Sequence, residues 1–186
     1  MVETAATSLL VPDVGDEPAH QAGYMRARRF REQYHFPRRV TDLEGILRDR
    51  CGWDPEPAPV PATDGVANRI NALVGLDEAG RARVATSGAA QLPETRRFLL
   101  GRALFLSPDA TSRKPPRLLT RANSWAQRAS RAFAAELLVP ADELCPQVAG
   151  EVTYEQVAGL AREFGVSDLV IKHQIENHHL GLIRDL

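Results

Sequence analysis

The sequence has few cysteines, no excess of charge of either sign and no long apolar run. Its two cysteines, Cys51 and Cys145, form no C-x-x-C arrangement, so neither a disulfide framework nor a metal knuckle is indicated. The net charge is -1, which gives no bias towards nucleic acid or membrane surfaces. No basic leader precedes the short run from Leu9 to Val11, and no run approaches bilayer length. We therefore expect a cytoplasmic protein.

What is present fits a soluble globular protein. Of the 186 residues, 44% are hydrophobic and 25% are charged, which suffices for one domain with a buried core. Residues 1–22 mix small, acidic, proline and glycine residues without periodicity, so we expect a disordered tail there. We expect a main domain over 23–150 and a C-terminal extension packed on it over 151–186.

Two helices are predicted in the first part of the main domain. Tyr24 to Tyr34 places its apolar residues on one side and four arginines around the rest, which is typical of an amphipathic helix. Thr41 and Glu44 have the spacing of a capping box, which opens a second helix that ends at Gly52.

The residues that follow, from Asp54 to Thr86, are predicted to form a connector and a β-hairpin. Asp54 to Pro61 carries regularly spaced prolines, which favour a stiff, extended segment without hydrogen bonds. Val66 to Leu76 and Ala82 to Thr86 flank a turn that ends in Gly80, and this arrangement predicts a β-hairpin.

Two helical segments dominate the centre of the chain. Pro93 suits a first helical position and Glu94 suits the positive end of a helix dipole, so a helix is predicted from Pro93 to Leu106. A second helix is predicted from Asn123 to Val139, and Pro140 stops it. Residues on the buried faces are Leu99, Arg102, Ala103 and Leu106 in the first helix, and Ala126, Ala129, Phe133 and Leu137 in the second.

These two segments resemble the ImmA/IrrE-like metallo-endopeptidases. Members have a pattern similar to RFtlAHELgHlL on one helix and to E..AN.FAAELLmP on the next. Here Arg97 to Leu100 match the start of the first pattern, and Phe133 to Leu138 with Pro140 match the second. The resemblance covers roughly 24–183. It implies an α+β fold: a mainly helical, zincin-like domain with a small β-sheet and a C-terminal helix-turn-helix-like pair.

The resemblance also implies that the zinc motif is lost. An HExxH helix binds zinc through two histidines on one face, while the glutamate polarises the metal-bound water. Here the first histidine, the glutamate and the second histidine are replaced by Arg102, Ala103 and Leu106. The turn that carries the family's third, acidic ligand contains Ala129 and no carboxylate. We therefore expect no metal, no other cofactor and no catalytic residues.

Arg102 needs a polar partner, because a cation on a mostly apolar helix face is costly to bury alone. We predict that it bonds Gln127 or Glu136. Glu136 is retained from the second pattern but is not a ligand in the family, and we expect it to pair with Arg102 or Arg131.

The segment from Ser107 to Leu119 is predicted to be a basic loop beside the cleft. It is either a partner-docking loop or a simple helix connector. The residues that we expect to bind a partner in this cleft are Arg102, Gln127, Glu136, Arg113, Lys114 and Arg117.

The C-terminal part predicts a tight pair of helices. Thr153 and Gln156 form a capping box, Gly165 ends the first helix and Ser167 caps the second. Buried positions are predicted at Val157, Leu160, Ala161, Phe164, Leu169, Val170, Ile171 and Ile175. His173, Glu176 and His179 recur every three residues, which is compatible with either a metal site or a solvated face.

This pair also has the pattern of a DNA-binding helix-turn-helix unit. Lys172, Gln174 and Asn177 are the candidate DNA contacts. From residue 151 to 186, however, the sequence has six acidic residues and only three Lys or Arg residues. Binding to phosphates normally requires a basic surface, so packing against the main domain is the better interpretation.

The resemblance implies a catalytically inactive pseudo-metallopeptidase that works as a regulatory protein-binding module. Its partner would be a helix-turn-helix repressor of a mobile element or of stress genes, or a toxin–antitoxin component, with no role for nucleic acid or membrane. One alternative is an active zinc metallo-endopeptidase with displaced ligands that cleaves a repressor. A second alternative is a DNA-binding transcription regulator.

Overall fold

The computed structural model describes residues 17–51, 53, 56–59, 70–76, 82–86, 92–107, 116–148 and 150–184. These residues form an α+β fold, as predicted. The helices are α1 Ala19–Gln33, α2 Leu43–Cys51, α3 Pro93–Leu106, α4 Trp125–Leu138, α5 Ala141–Leu144, α6 Tyr154–Phe164 and α7 Asp168–Asn177. The strands are β1 Glu56–Pro59, β2 Ile70–Leu76, β3 Ala82–Thr86, β4 Arg117–Thr120, β5 Gly150–Thr153 and β6 Gly181–Arg184. In the described part of the chain, no helix combines the length and apolarity needed to cross a bilayer.

Helix α4 lies at the centre of the helical layer, with α1 and α3 packed on it. Phe133 on α4 contacts Phe30 of α1 and Phe105 of α3, at ring-centroid distances of 6.0 and 5.5 Å. Gly23 allows α1 to approach α4 closely, since a Cβ there would lie 2.4 Å from the Ala129 carbonyl oxygen. The bounds of α3 are those predicted, whereas α4 begins two residues later and ends one residue earlier than predicted.

Helix α1 begins at Ala19, five residues before the predicted start. Ala19 and Ala22 are buried, and this packing against the rest of the molecule orders residues that lack an apolar pattern of their own. The prediction of a tail through residue 22 is therefore wrong for 17–22, and its remainder lies outside the described residues.

The four-stranded sheet has the order β1-β3-β2-β4. Strands β2 and β3 are antiparallel and pair Leu76 with Ala82, which confirms the predicted hairpin. The connector prediction is wrong, because β1 pairs in parallel with β3. Its prolines are tolerated at the edge of the sheet, where one side of a strand needs no donors.

The predicted loop from Ser107 to Leu119 is shorter than expected. Strand β4 takes up Arg117–Thr120 and pairs with β2, so that Leu118 lies opposite Leu73. Leu119 is fully buried, and the sequestration of this side chain explains why the segment joins the sheet. Residues 108–115 lie outside the described residues.

The capping-box prediction for α2 is wrong. The Asp42 carboxylate, not Thr41, caps this helix by accepting a hydrogen bond of 2.9 Å from the Gly45 backbone N–H. Glu44 instead pairs with Arg96 on α3, at 2.9 Å, because the start of α3 lies beside α2. The helix ends at Cys51, next to the predicted end.

The capping box of α6 is confirmed. Thr153 Oγ1 accepts from the Gln156 N–H at 3.2 Å, and Gln156 Oε1 accepts from the Thr153 N–H at 2.8 Å. Gly165 ends α6 with φ of 63°, a left-handed conformation that suits glycine. Ser167 stands at the cap position of α7, but its side chain makes no capping bond.

Two features of the C-terminal part differ from the predictions. Leu169, predicted to be buried, is 59% exposed, whereas Val170 and Ile171 of the same helical turn are buried. Strands β5 and β6 form a parallel pair that the sequence pattern did not indicate. The other seven positions predicted to be buried in α6 and α7 are buried.

Candidate functional site

A cleft with a cavity of about 690 Å³ lies between α1, α3, α4 and α7. We call it the arginine cleft after its four arginines. Its floor is apolar and includes Phe98, Leu99, Ala132, Ala135 and Val170. Its polar lining includes Arg102, Arg121, Arg128, Arg131, Glu94, His20, His173 and Asn177. A volume of this size is typical of ligand or side-chain binding pockets.

Arg102 lies at the base of the arginine cleft and is only 4% exposed. Its Nη2 donates to Gln127 Oε1 at 2.7 Å and to the Thr120 carbonyl at 3.0 Å, and its Nε donates to Ser130 Oγ at 3.3 Å. The predicted bond to Gln127 is therefore present. All three acceptors are neutral.

The charge of Arg102 is retained at neutral pH. Burial, followed by the nearby charge of Arg131, lowers the pKa of the Arg102 guanidinium to about 10. Neutral acceptors satisfy its hydrogen bonds but do not neutralise it, so the cleft carries a buried positive charge.

Gln127 connects α4 to the edge strand β4. Its Nε2 donates to the Leu118 carbonyl at 2.7 Å, and its Oε1 accepts from the Thr120 N–H at 3.0 Å as well as from Arg102. The Ser124 hydroxyl caps the helix on the Gln127 N–H, at 3.4 Å, which positions this residue at the start of α4. Gln127 and Arg102 together occupy the Leu118 carbonyl and both backbone groups of Thr120 on β4.

Glu136 pairs with neither Arg102 nor Arg131, which corrects the prediction. Its Oε1 accepts from Arg28 Nε at 2.7 Å. Its Oε2 accepts from Gln174 Nε2 at 2.9 Å and lies 3.3 Å from His178 Nε2. The reason is the side of α4 that it occupies: Glu136 points towards α1 and α7, away from Arg102.

The other three cleft arginines have no acidic partner among the described residues. Arg131 donates to the Ala122 carbonyl and to Asn123 Oδ1, both at 3.1 Å. Arg121 and Arg128 are exposed at the rim. Sequence reasoning missed both, although Arg128 stands one turn from Arg131 on the cleft side of α4.

The other predicted cleft residues differ in outcome. Arg117 lies in β4 and does not line the cavity. Arg113 and Lys114 lie outside the described residues. Ala103, Leu106 and Ala129, which replace the zinc ligands and the glutamate of the resembled pattern, are buried in the hydrophobic core.

The C-terminal histidines are dispersed. His173 lines the arginine cleft, His178 contacts Glu136, and His179 lies beyond the end of α7 with φ of 54°. Across the part of the chain that the structure describes, no three His, Cys, Asp or Glu side chains are grouped closely enough to hold a metal ion.

The candidate DNA contacts on α7 do not form one exposed surface. Gln174 is fully buried and donates to the Val139 carbonyl at 2.6 Å, so its assignment as a DNA contact is wrong. The Lys172 ammonium lies over the Tyr154 ring, 5.1 Å from its centroid. Asn177 donates to the Tyr24 hydroxyl at 3.0 Å. α7 therefore uses these side chains mainly for internal contacts.

Comparison with known proteins identifies no family for this chain. No protein-family model matches it. No curated protein matches it either. Among solved structures, it is similar to a Mycobacterium tuberculosis transcriptional regulator, with 17% identity and a TM-score of 0.49. The alignment covers 86% of this chain and 52% of that protein, so the chain spans about half its length.

Proposed function

We propose that this protein is a pseudo-metallopeptidase of the ImmA/IrrE type, with a zincin-like domain that binds a protein partner instead of cutting it. The observation that carries the proposal is the state of Arg102. It stands at the first-histidine position of the resembled pattern, is buried, and is held by three neutral acceptors.

A zinc ion is incompatible with this arrangement on chemical grounds. A guanidinium offers donors only and cannot coordinate a cation. Two like unit charges about 4 Å apart repel by roughly 4 kcal/mol at an effective dielectric of about 20, and a dication doubles this. The buried Ala103, Leu106 and Ala129 add no ligand atom.

The cleft nevertheless retains features that favour binding. Its cavity is open between four helices, its floor is apolar, and among the described lining residues four arginines stand against a single carboxylate, that of Glu94. We propose that this surface holds a helix-turn-helix repressor or a toxin–antitoxin component in the cytoplasm. Arg113 and Lys114 remain predicted contributors.

The test combines metal analysis with partner binding. The purified protein is analysed for zinc and is mixed with a helix-turn-helix repressor encoded beside its gene, and complex formation is followed by size-exclusion chromatography. We expect a metal-free, folded protein that forms a complex without cleaving the repressor. Stoichiometric zinc with chelator-sensitive cleavage would establish the active-peptidase alternative, and absence of a complex would reject the partner assignment.

A further inference from the structure

We propose that the arginine cleft recognises an acidic amphipathic helix of the partner. This inference rests on the proposed function, in which the cleft holds a protein, and it specifies the chemistry of the segment that is held.

The arginine cleft carries an excess of positive charge. Arg102, Arg121, Arg128 and Arg131 line it, whereas Glu94 is the one carboxylate among the described lining residues. The acceptors of Arg102 and Arg131 are neutral. Because arginine pairs best with carboxylate and phosphate groups, the cleft presents positive charge to a ligand that supplies acids.

An apolar floor lies beneath these arginines. Phe98, Leu99 and Val170 line the cavity together with the alanines of α4. Leu169 also lines it and is 59% exposed, so it extends the apolar surface that a ligand in the cavity would cover. A ligand that carries charge alone leaves this surface uncovered, so the ligand needs apolar groups next to its acids.

The occupied backbone of β4 disfavours an added strand and favours a helix. An extended peptide binds a sheet edge through free backbone groups of the edge strand. On β4, the Leu118 carbonyl and both backbone groups of Thr120 are already bonded to Gln127 and Arg102. A helix satisfies its own backbone hydrogen bonds and needs only side-chain contacts, so it fits a cleft whose neighbouring edge is occupied.

The inference is tested with stapled helical peptides of about 14 residues, labelled with fluorescein and followed by fluorescence anisotropy. The first peptide has leucine at i, i+3, i+4 and i+7 and glutamate at most other positions. The second replaces glutamate by lysine, and the third keeps the composition of the first but scrambles the leucine positions. We expect the first to bind, the second not to bind, and the third to bind at least about tenfold more weakly.

Two variants test whether the peptide binds in the arginine cleft. The double change Arg121→Glu and Arg128→Glu reverses two exposed charges whose side chains form no ion pair with the described residues, so the fold should be unaffected. We expect it to weaken the first peptide by about tenfold or more. Arg29→Glu, on an exposed position of α1 outside the cavity, is the matched control and should leave binding unchanged.

Several results would overturn the inference. They are no binding of the leucine–glutamate peptide, equal binding of its scrambled form, or displacement of it by inorganic phosphate or duplex DNA as effectively as by unlabelled peptide. A repressor that binds the wild type and the Arg121/Arg128 double variant equally well would reject the helix-in-cleft chemistry alone. A peptide that binds while no repressor does would reject the partner assignment alone.

Discussion

At the scale of single residues, the molecule stabilises two buried ionic groups in different ways. Glu136 is matched by the opposite charge of Arg28 and by Gln174. Arg102 has only neutral acceptors and keeps an uncompensated charge. The first arrangement is typical of a structural ion pair, whereas the second leaves a positive charge that an incoming carboxylate can neutralise.

Glu136→Gln should lower the free energy of unfolding by about 1–3 kcal/mol, because a neutral amide no longer attracts Arg28. We expect a smaller loss of unfolding free energy than for a fully buried ion pair. Arg28 is half-exposed, so its guanidinium is hydrated once the charge of Glu136 is removed. Chemical denaturation measures the change. Glu163→Gln, which removes the exposed pair with Arg39, is the control and should cost less than about 1 kcal/mol.

The Glu136 carboxylate should also make the folded protein less stable in acid. Burial by itself raises the pKa of Glu136, but His178, Arg28 and Gln174 outweigh it and hold the pKa below its ordinary value. The unfolded chain therefore takes up the proton first as the pH falls, and the stabilisation is lost as the pH drops from the ordinary glutamate pKa through the lower folded value. Denaturation curves over this range should show the wild type and Glu136→Gln converging, and a constant gap would contradict the assignment.

Gln127→Ala should destabilise the fold by about 2–4 kcal/mol. The change removes the acceptor shared by Arg102 and the Thr120 N–H, and also the donor to the Leu118 carbonyl, in a largely buried place. Thermal unfolding followed by circular dichroism measures the effect. Gln147→Ala, which loses one exposed bond to the Glu143 carbonyl, should cost less than about 0.5 kcal/mol. Equal effects of the two changes would show that Gln127 does not link α4 to β4.

At the scale of elements, α4 decides how the helical layer is built. It meets α1 at Gly23 and α3 at Gly101, and in both places the missing side chain lets two helices approach. A Cβ at Gly101 would lie 3.1 Å from Ala134 Cβ, which a small shift relieves, whereas the Gly23 contact is with backbone.

Gly23→Ala should therefore destabilise the protein, by about 1–3 kcal/mol, because its Cβ would overlap the Ala129 carbonyl and the Phe133 backbone nitrogen. Gly159→Ala in α6 is the matched control, since a Cβ there has no neighbour within 4 Å. Alanine favours a helix by about 1 kcal/mol over glycine, so this control should raise the melting temperature. Differential scanning calorimetry of both variants gives the signs, and a stabilised Gly23→Ala protein would refute the close crossing.

At the scale of the whole molecule, the C-terminal residues complete the main domain. Gln174 of α7 bonds both Glu136 and the Val139 carbonyl, and Asn177 bonds Tyr24 of α1. Ile171 and Ile175 are fully buried in the common core. Residues 150–184 therefore supply buried polar and apolar partners to the preceding helices.

A chain that ends at residue 149 should lose cooperative thermal unfolding. Truncation leaves Glu136 and the Val139 carbonyl without Gln174, and uncovers the core surface on which α7 packs. Calorimetry and near-ultraviolet circular dichroism of the truncated protein provide the measurement. The full chain with Leu182→Ala, a 69% exposed position in the same segment, is the control and should unfold as the wild type does. A truncated protein with an unchanged transition would show that residues 150–184 form an independent unit.

Much of the secondary structure was predictable because its signals are local. The α6 capping box, Gly165 and the apolar spacing of α3 and α4 each act within a few residues, and the structure contains them. Errors arose where a distant contact outweighed a local pattern. Leu119 is drawn into the sheet from a proline-rich stretch, Glu56–Pro59 pairs with β3, and Gln174 turns inwards to Glu136.

The candidate site, too, was predictable from the sequence only in part. The sequence by itself determined that Arg102 stands on a buried helix face, because helical periodicity suffices for that, and it left the partner of Arg102 open between Gln127 and Glu136. Only the tertiary structure decided that Glu136 belongs to Arg28, 108 residues away, and that Arg121 and Arg128 join Arg102 and Arg131 around one cleft. The physical reason is that an ion pair or a cleft depends on which faces of separate elements meet, and side-chain spacing along one element does not contain that information.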